Sequence, residues 1–252
     1  MKTSHQIKIK TPEEIDILRK AGKILSSIIK DLERSLTAGV TKKQIDQKAE
    51  SLILAHNVRS AFKGYRGFPG CACISVNQEV VHGVPNGYVL KDGDIVSLDV
   101  GIVYQNYYSD TATTVAIGAI DPFKQKLMDV TKNALYLGIQ QALPENRLSD
   151  ISFTIQQYVE SHGFSVVRNF VGHGIGQQLH EEPEIPNFGP AHQGPVLAEG
   201  MVLAIEPMVN IGTHHTKIGS DGWTVVTEDG KPSAHFEHTI VIMSSGPEIL
   251  TA

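Results

Sequence analysis

Leu90–Asp99 (LKDGDIVSLD) and Leu197–Glu206 (LAEGMVLAIE) match position by position when written one above the other. Each opens on Leu, places an acid before a Gly (Asp92-Gly93, Glu199-Gly200), runs through apolar residues and ends on a carboxylate. The Gly stands where a turn hands over to a strand, and the run after it alternates at period two. Ile95, Ser97 and Asp99 share one face of the first strand, with Val96, Leu98 and Val100 on the other. In the second, Val202, Ala204 and Glu206 share a face, with Met201, Leu203 and Ile205 opposite. Each strand therefore has an apolar side to bury and a side on which small residues lead to an acid. Small neighbours beside an acid leave room for a bound group.

The duplication continues. Ser109–Val115 (SDTATTV) follows Asp99 as Phe236–Ile242 (FEHTIVI) follows Glu206, with Asp110 matching Glu237. A repeat this long is too large for a solenoid unit and reads as two related halves of one domain. Chance similarity between two amphipathic strands is the plainer alternative. Four carboxylates brought together from matching positions would repel one another strongly unless cations neutralised them.

The 252 residues, 41% hydrophobic, suffice for a substantial core in one compact unit. A formal charge of −5 offers no basic field for nucleic acid. No apolar run reaches membrane-spanning length, and Met1–Lys10 lacks the apolar core of a signal peptide. Cys71 and Cys73 are the only cysteines, so a disulfide framework is not expected and a reducing cytoplasm is. Thr11-Pro12-Glu13-Glu14 reads as a capping box opening a helix, with Ile15, Leu18, Gly22, Leu25, Ile29 and Leu32 on one face. Gly39 ends it, and Thr41-Lys42-Lys43-Gln44 caps another. Asp121-Pro122 opens a third helix, and a fourth is expected around Ile151–His162, stopping at Gly163. The order is helix, helix, strands, twice over, with no linker between the halves.

Gly64–Pro85 (GYRGFPGCACISVNQEVVHGVP) predicts a loop, a short strand over Ala72–Asn77 and a turn exposing His82. Two thiols in C-x-C are too few for a zinc site, which favours burial of Cys71 and Cys73 over ligation. Val171–Pro183 (VGHGIGQQLHEEP) sets His173 between glycines, where backbone and ligand can approach the imidazole closely. Glu184–Pro195 reads as loop. Of the eleven histidines, His5, His56, His162, His192, His214 and His215 have no motif around them. Asp99, Asp110, His173, Glu206 and Glu237 form an oxygen-rich set with one nitrogen and no sulfur. Such a set suits manganese, iron or cobalt better than a structural zinc. Four carboxylates carry a formal −4, which two divalent ions balance.

The run HGVP, DIVSLDVG, SDTATTV, GHGIG, HEEP, AIEPMV, DGWTV and FEHTIVI resembles the type I methionine aminopeptidases over nearly the whole chain. The resemblance implies an α+β "pita-bread" fold: one catalytic domain over residues 1–252, with pseudo-symmetric halves at about 11–118 and 121–243. A curved, mostly antiparallel sheet would carry helices on its outer face. The resemblance assigns Asp99 and Asp110 to one divalent ion (Co, Mn, Fe, Ni or Zn), His173 and Glu206 to a second, and Asp110 and Glu237 to both. It implies hydrolysis of an N-terminal methionine by a water activated at that dinuclear centre, with Glu206 as general base. His180 would stabilise the oxyanion and His82 would contact the substrate amide. The family's pattern points to Tyr65, Phe68, Cys73 and Trp223 as the methionine pocket, although Trp223 taken alone fits a core or rim aromatic equally well. A monovalent cation near Asn77 and Ser233 is a further family feature.

Val81, Leu179 and Phe68 depart from residues frequent in bacterial members (Cys, Phe and Tyr) and bear on pocket shape, not on the reaction. A proline-specific peptidase of the same fold would be expected to carry an extra N-terminal domain. A type II enzyme would need an insertion between His180 and Glu206, and a catalytically dead binding module would have lost ligands. The expected partners are peptide or nascent-chain N-termini and the ribosome, with neither nucleic acid nor membrane, for a cytoplasmic monomer.

Overall fold

The computed structural model describes residues 6–252; His5 and the start of the Met1–Lys10 segment lie outside the described residues. Four α-helices form among the described residues: α1 (Pro12–Glu33), α2 (Lys42–Ala55), α3 (Pro122–Gln140) and α4 (Leu148–Ser161). The start of α1 is the expected capping box: Glu14 N donates to Thr11 Oγ1 at 3.3 Å, and Thr11 N to Glu14 Oε2 at 2.8 Å. Thr41 and Gln44 repeat it at α2, and the Asp121 carboxylate caps α3 through Phe123 N at 2.7 Å. Helix α4 begins earlier than the apolar periodicity suggested. The Asp150 carboxylate accepts from Arg147 N at 2.8 Å, a cap that no Ser or Thr at the N-terminus announces.

The strands, in chain order, are β1 (Arg59–Ser60), β2 (Ala72–Val76), β3 (Glu79–Val81), β4 (Ile95–Tyr104), β5 (Tyr107–Ala116), β6 (Ser165–Val166), β7 (Gly172–Gly174) and β8 (Glu181–Ile185). They continue with β9 (Val202–Ile205), β10 (Met208–Asn210), β11 (Thr216–Ile218), β12 (Val225–Thr227), β13 (Ser233–His235), β14 (Glu237–Met243) and β15 (Gly246–Ile249). The stretch expected as loop from Glu184 thus begins inside a strand. Pro183 and Ile185 turn inward while Glu182 and Glu184 face out, and β8 pairs with β7.

The main sheet runs β1-β4-β5-β14-β9-β7-β8, with β2 on β4 and β15 on β14, and every pairing is antiparallel. Strands β4 and β5 come from the first half, β14 and β9 from the second, and their order reverses about the β5–β14 seam. This is the duplication read from the sequence, in space. Gly93 and Gly200 both adopt positive φ (92° and 84°) at the strand entries, a conformation that glycine takes without steric cost.

Helices α1 and α2 cover one half of the sheet. Leu25, Ile28, Leu32 and Ile45 pack on Val96, Leu98, Val100 and Ile102. Helices α3 and α4 cover the other through Leu135, Ile151 and Ile155 against Leu203, Ile205 and Ile240. The pita-bread fold is a curved antiparallel sheet with four helices on its outer face, and the opposite face is free for chemistry. No described helix is long and apolar enough to cross a membrane.

Gly22 lies where α1 crosses the C-terminal segment, and a methyl there would run into the carbonyl oxygen of Leu250. The Gly22→Ala variant is expected to lose about 1–3 kcal/mol through overpacking. Chemical denaturation should read this as a lower midpoint at unchanged slope.

Candidate metal centre

Strand register decides which side chains meet. Asp99 pairs with Cys73 on one side and Ala112 on the other, and Ala112 pairs with Glu237. Ile205 pairs with His238, so Glu206 comes next to Glu237 where β9 runs on. Asp99, Glu237 and Glu206 therefore stand in one row. One row over, Gly101 pairs with Asp110, and Ala204 pairs with both Thr239 and His173. Thr239 ties the two halves of this row together: its Oγ1 accepts from Asp110 N at 3.2 Å and donates to Asp110 O at 2.7 Å. All five ligand-type residues stand in two adjacent rows of one sheet face, separated by Gly, Ala and Thr.

Asp110, His173 and Glu237 each place one ligand atom within 4.8 Å of the others. Glu206 Oε1 lies 3.6 Å from His173 Nε2. Asp99 Oδ1 and Glu237 Oε1 are buried without any hydrogen-bond partner. The His173 Nδ1–H donates to Gly174 O at 2.9 Å, because a carbonyl can only accept, and this leaves Nε2 as a free lone pair aimed at the acids. Orphaned carboxylate oxygens facing an unprotonated imidazole nitrogen are what a divalent cation requires. The donor set fits the metal.

Burial, with the mutual repulsion of Asp110, Glu206 and Asp99, raises the carboxyls of Asp99, Glu206 and Glu237 well above the usual range. Burial lifts Asp110 to about 7, against a hydrogen bond from Asp99. The imidazoles move the other way: burial lowers His173 to about 4 and also lowers His82. His180 is pushed down by burial and then by the neighbouring His173 and Arg66. It is exposed on the cleft and meets His173 edge-to-face, with ring centroids 4.4 Å apart.

A cleft of about 1220 Å³ opens over these rows, lined by Asp99, Asp110, His173, Glu206 and Glu237 together with His82, His180, Tyr65, Phe68, Cys73 and Trp223. Every metal, catalytic and methionine-pocket residue singled out from the sequence lies on it, while Asn77 and Ser233 do not. Tyr65 OH is 2.9 Å from His180 Nδ1, and Phe68 meets Trp223 edge-on at 5.3 Å between centroids. His82 is half-buried rather than exposed. Its backbone takes φ 57° and its ring stands edge-on to Phe170 at 5.6 Å. Cys71 and Cys73 are both buried. Ser233 N donates to Asn77 O at 2.8 Å, and Lys124 Nζ donates to Asn77 Oδ1 at 2.9 Å, so a lysine ammonium stands beside the expected monovalent-cation position. Sequence reasoning missed Phe170 and His235. For His235 a signal existed in its spacing, two residues before Glu237, although β13 ends at His235 and β14 begins at Glu237.

The model of metallopeptidase family M24 matches residues 16–244. The methionine aminopeptidase of Clostridium perfringens is 53% identical over 243 residues, covering 96% of this chain and 98% of that protein. The chain belongs to the methionine aminopeptidases of metallopeptidase family M24. Methionine aminopeptidase 1 of Bacillus subtilis is 52% identical over 242 residues, again covering 96% and 98%. The crystal structure of methionine aminopeptidase from Thermotoga maritima superposes with a TM-score of 0.96 at 46% identity, covering 98% of this chain and 99% of that one. The prolidase of Pyrococcus horikoshii shares the fold alone, at 24% identity and a TM-score of 0.79, and this chain spans 63% of its length. M24 methionine aminopeptidases are metal-dependent hydrolases that act at peptide N-termini, and the cluster described above is a candidate metal site among the described residues.

Its electrostatics set a pH-dependent stability. A carboxyl raised in the folded state contributes stability that is complete below its unfolded pKa, near 4, and is lost as pH rises through the folded value, about 7 for Asp110. The lowered histidines oppose this only below about pH 6.5, where the unfolded chain would charge them. Metal-free protein should therefore melt progressively lower between about pH 6.5 and 8. Mn²⁺ at a hundredfold excess over its Kd should restore about 3 kcal/mol, roughly 6–12 °C in Tm. Thermal melts with chelator and with Mn²⁺ across that range make the comparison. Coincident midpoints would contradict the site.

Proposed function

We propose that this chain removes the N-terminal methionine from peptides and nascent chains whose second residue is small. Asp99, Asp110, His173, Glu206 and Glu237 would hold two divalent cations, drawn from Mn, Fe, Co, Ni or Zn. The observation that carries the reading is the cleft floor: unpartnered carboxylate oxygens and the free His173 Nε2 in adjacent rows, with His82 and His180 on the same cleft. When bound, the cations supply Lewis acidity toward the scissile carbonyl and lower the pKa of the attacking water.

The side chains do the rest. Glu206, held well above the usual carboxylate range by burial, is suited to accept the proton of the attacking water and pass it to the leaving amine. A phenol is the better donor of the Tyr65–His180 pair, so Tyr65 O–H donates to His180 Nδ1, which sets Nε2–H as the donor to the developing oxyanion. His82 contacts the substrate amide. Tyr65, Phe68, Cys73 and Trp223 hold the methionine side chain, a polarizable group suited to aromatic and sulfur contacts.

Selectivity for the second residue follows from volume. The cleft must hold the first side chain, two cations and two histidines, so a bulky group on the second Cα would push the carbonyl off line. A misplacement of about 1 Å costs around a hundredfold in rate. The chain works as one catalytic unit over both halves, at N-termini emerging in the cytoplasm. A monovalent cation near Asn77 and Ser233 would have to share Asn77 Oδ1 with the Lys124 ammonium.

Mass-resolved assays of Met-Ala-Ser, Met-Leu-Ser and Leu-Ala-Ser with Mn²⁺-loaded protein test this. Met-Ala-Ser should exceed the other two by at least roughly a hundredfold in kcat/KM. Equal cleavage of Met-Leu-Ser would end the claim for a small second residue, and equal cleavage of Leu-Ala-Ser the claim for methionine. Glu206→Gln should lower kcat by at least about a hundredfold. His180→Ala should lower it by about 10²–10³ while retaining metal.

A further inference from the structure

His235 is 1% exposed, and neither of its ring nitrogens has a hydrogen-bond partner. Buried polar groups are rarely left so, and the exceptions mark a partner engaged in another state or a functional role. The backbone of His235 is pinned on both sides. Its N–H donates to Thr114 Oγ1 at 3.0 Å, the same hydroxyl donates to His235 O at 2.7 Å, and Met208 pairs with it across β10. The ring stands with Nε2 3.4 Å from Glu206 Oε2, too poorly aligned for a hydrogen bond yet closer than any other contact this ring makes to a carboxylate.

Each oxygen of Glu206 thus faces one imidazole: Oε1 faces His173 at 3.6 Å and Oε2 faces His235 at 3.4 Å. The two rings are not equivalent. His173 has committed its N–H to Gly174 O, so its Nε2 presents a lone pair and cannot donate. His235 has committed nothing. A small rotation of the Glu206 carboxylate brings Oε2 onto the Nε2–H of His235 and leaves Oε1 turned toward His173 and the cleft.

We propose that His235 is the positioning residue of Glu206: its Nε2–H donates to Oε2 and fixes which carboxylate oxygen faces the cleft. It touches neither substrate nor the reacting atoms. The consequence for turnover rests on the role assigned to Glu206 above; the consequence for metal binding does not. Groups that orient a ligand in this way typically govern metal affinity by about ten- to hundredfold.

Three variants test it: His235→Leu removes the donor, His235→Gln keeps an N–H at similar reach, and Glu206→Gln serves as background for a double-mutant cycle. His235→Leu should lower kcat on Met-Ala-Ser about ten- to hundredfold with KM within about threefold. Calorimetric titration of chelator-treated protein with Mn²⁺ should show at least about tenfold weaker binding. His235→Gln should recover most of both losses. In the Glu206→Gln background, removing His235 should change Mn²⁺ affinity by less than about threefold, since the two act as a unit. Wild-type behaviour of His235→Leu, a Gln variant no better than Leu, or an undiminished loss in the Glu206→Gln background would each overturn the assignment. Should the Leu variant fail to fold, His235→Asn, whose amide is too short to reach Glu206, takes its place against Gln. A wild-type protein inactive on Met-Ala-Ser would defeat the functional reading, while the Mn²⁺ titrations would still decide the role of His235.

Discussion

Four carboxylates on one buried sheet face are the constraint around which the rest of this molecule is arranged. A pair of like charges 4 Å apart costs about 4 kcal/mol even at an effective dielectric near 20. Four of them cannot be tolerated by a soft scaffold, which would part to relieve the repulsion. The sheet answers with continuity. Strands β4 and β5 pair over ten residues each, β14 bonds to β5, β9 and β15, and the seam between the halves is further tied by Thr111 Oγ1 to Glu237 O at 2.8 Å. The acids cannot spread, so charge must be compensated by protons or by cations. Their raised pKa values and the fit of the donor set to divalent metal are two expressions of one fact.

Duplication makes such a site reachable. One strand with small residues and a terminal acid supplies a single carboxylate and a binding surface on one side only. Two copies brought together about the β5–β14 seam supply matched carboxylates from both sides, with helices covering each outer flank. The spacers matter as much as the acids. Ala112, Thr239 and Ala204 occupy the positions between the ligand-type residues in the two rows, and Gly101 flanks Asp110 at the end of one. A larger side chain at any of them would fill the space above the floor.

Most of this could be read from the residues because the signals are local. Period-two alternation after Gly93 and Gly200 located the paired strands, and Thr11 and Thr41 announced their helices through capping boxes that the structure reproduces. What escaped depends on contacts distant in sequence. The strand at Glu181–Ile185 exists because β7 offers an edge to pair with, and nothing in HEEPEI says so. The early start of α4 rests on Asp150, whose carboxylate caps Arg147 N and is itself held by His192 N from 42 residues away. His82 reads as exposed on a turn because the ring of Phe170, 88 residues away, cannot be foreseen beside it. His235 carried a usable signal in its spacing, but its proximity to Glu206 comes only from the pairing of β10 with β13.

The imidazoles complete the electrostatic logic. His173, His180, His82 and His235 are all held below the ordinary histidine range, with burial the largest cause in each. They are therefore neutral at the pH where the carboxylates, once metal is present, are ionised. Had any of them carried a proton, it would have offset part of the negative charge and weakened the hold on divalent cations. Lys10 and Glu181, which lie on the same cleft, neutralise each other through a buried ion pair at 2.6 Å. Among the described residues, Lys8 and Arg66 also line the cleft, while the ligand-type residues on its two floor rows carry carboxyls and one imidazole. A neutral imidazole with one nitrogen fixed by a neighbour, as Gly174 fixes His173 and Tyr65 contacts His180, has a defined role for the other. In the proposed reading the histidines act by direction and not by charge: one would offer a lone pair to metal, one an N–H to the oxyanion, and one an N–H to the carboxylate that moves the proton.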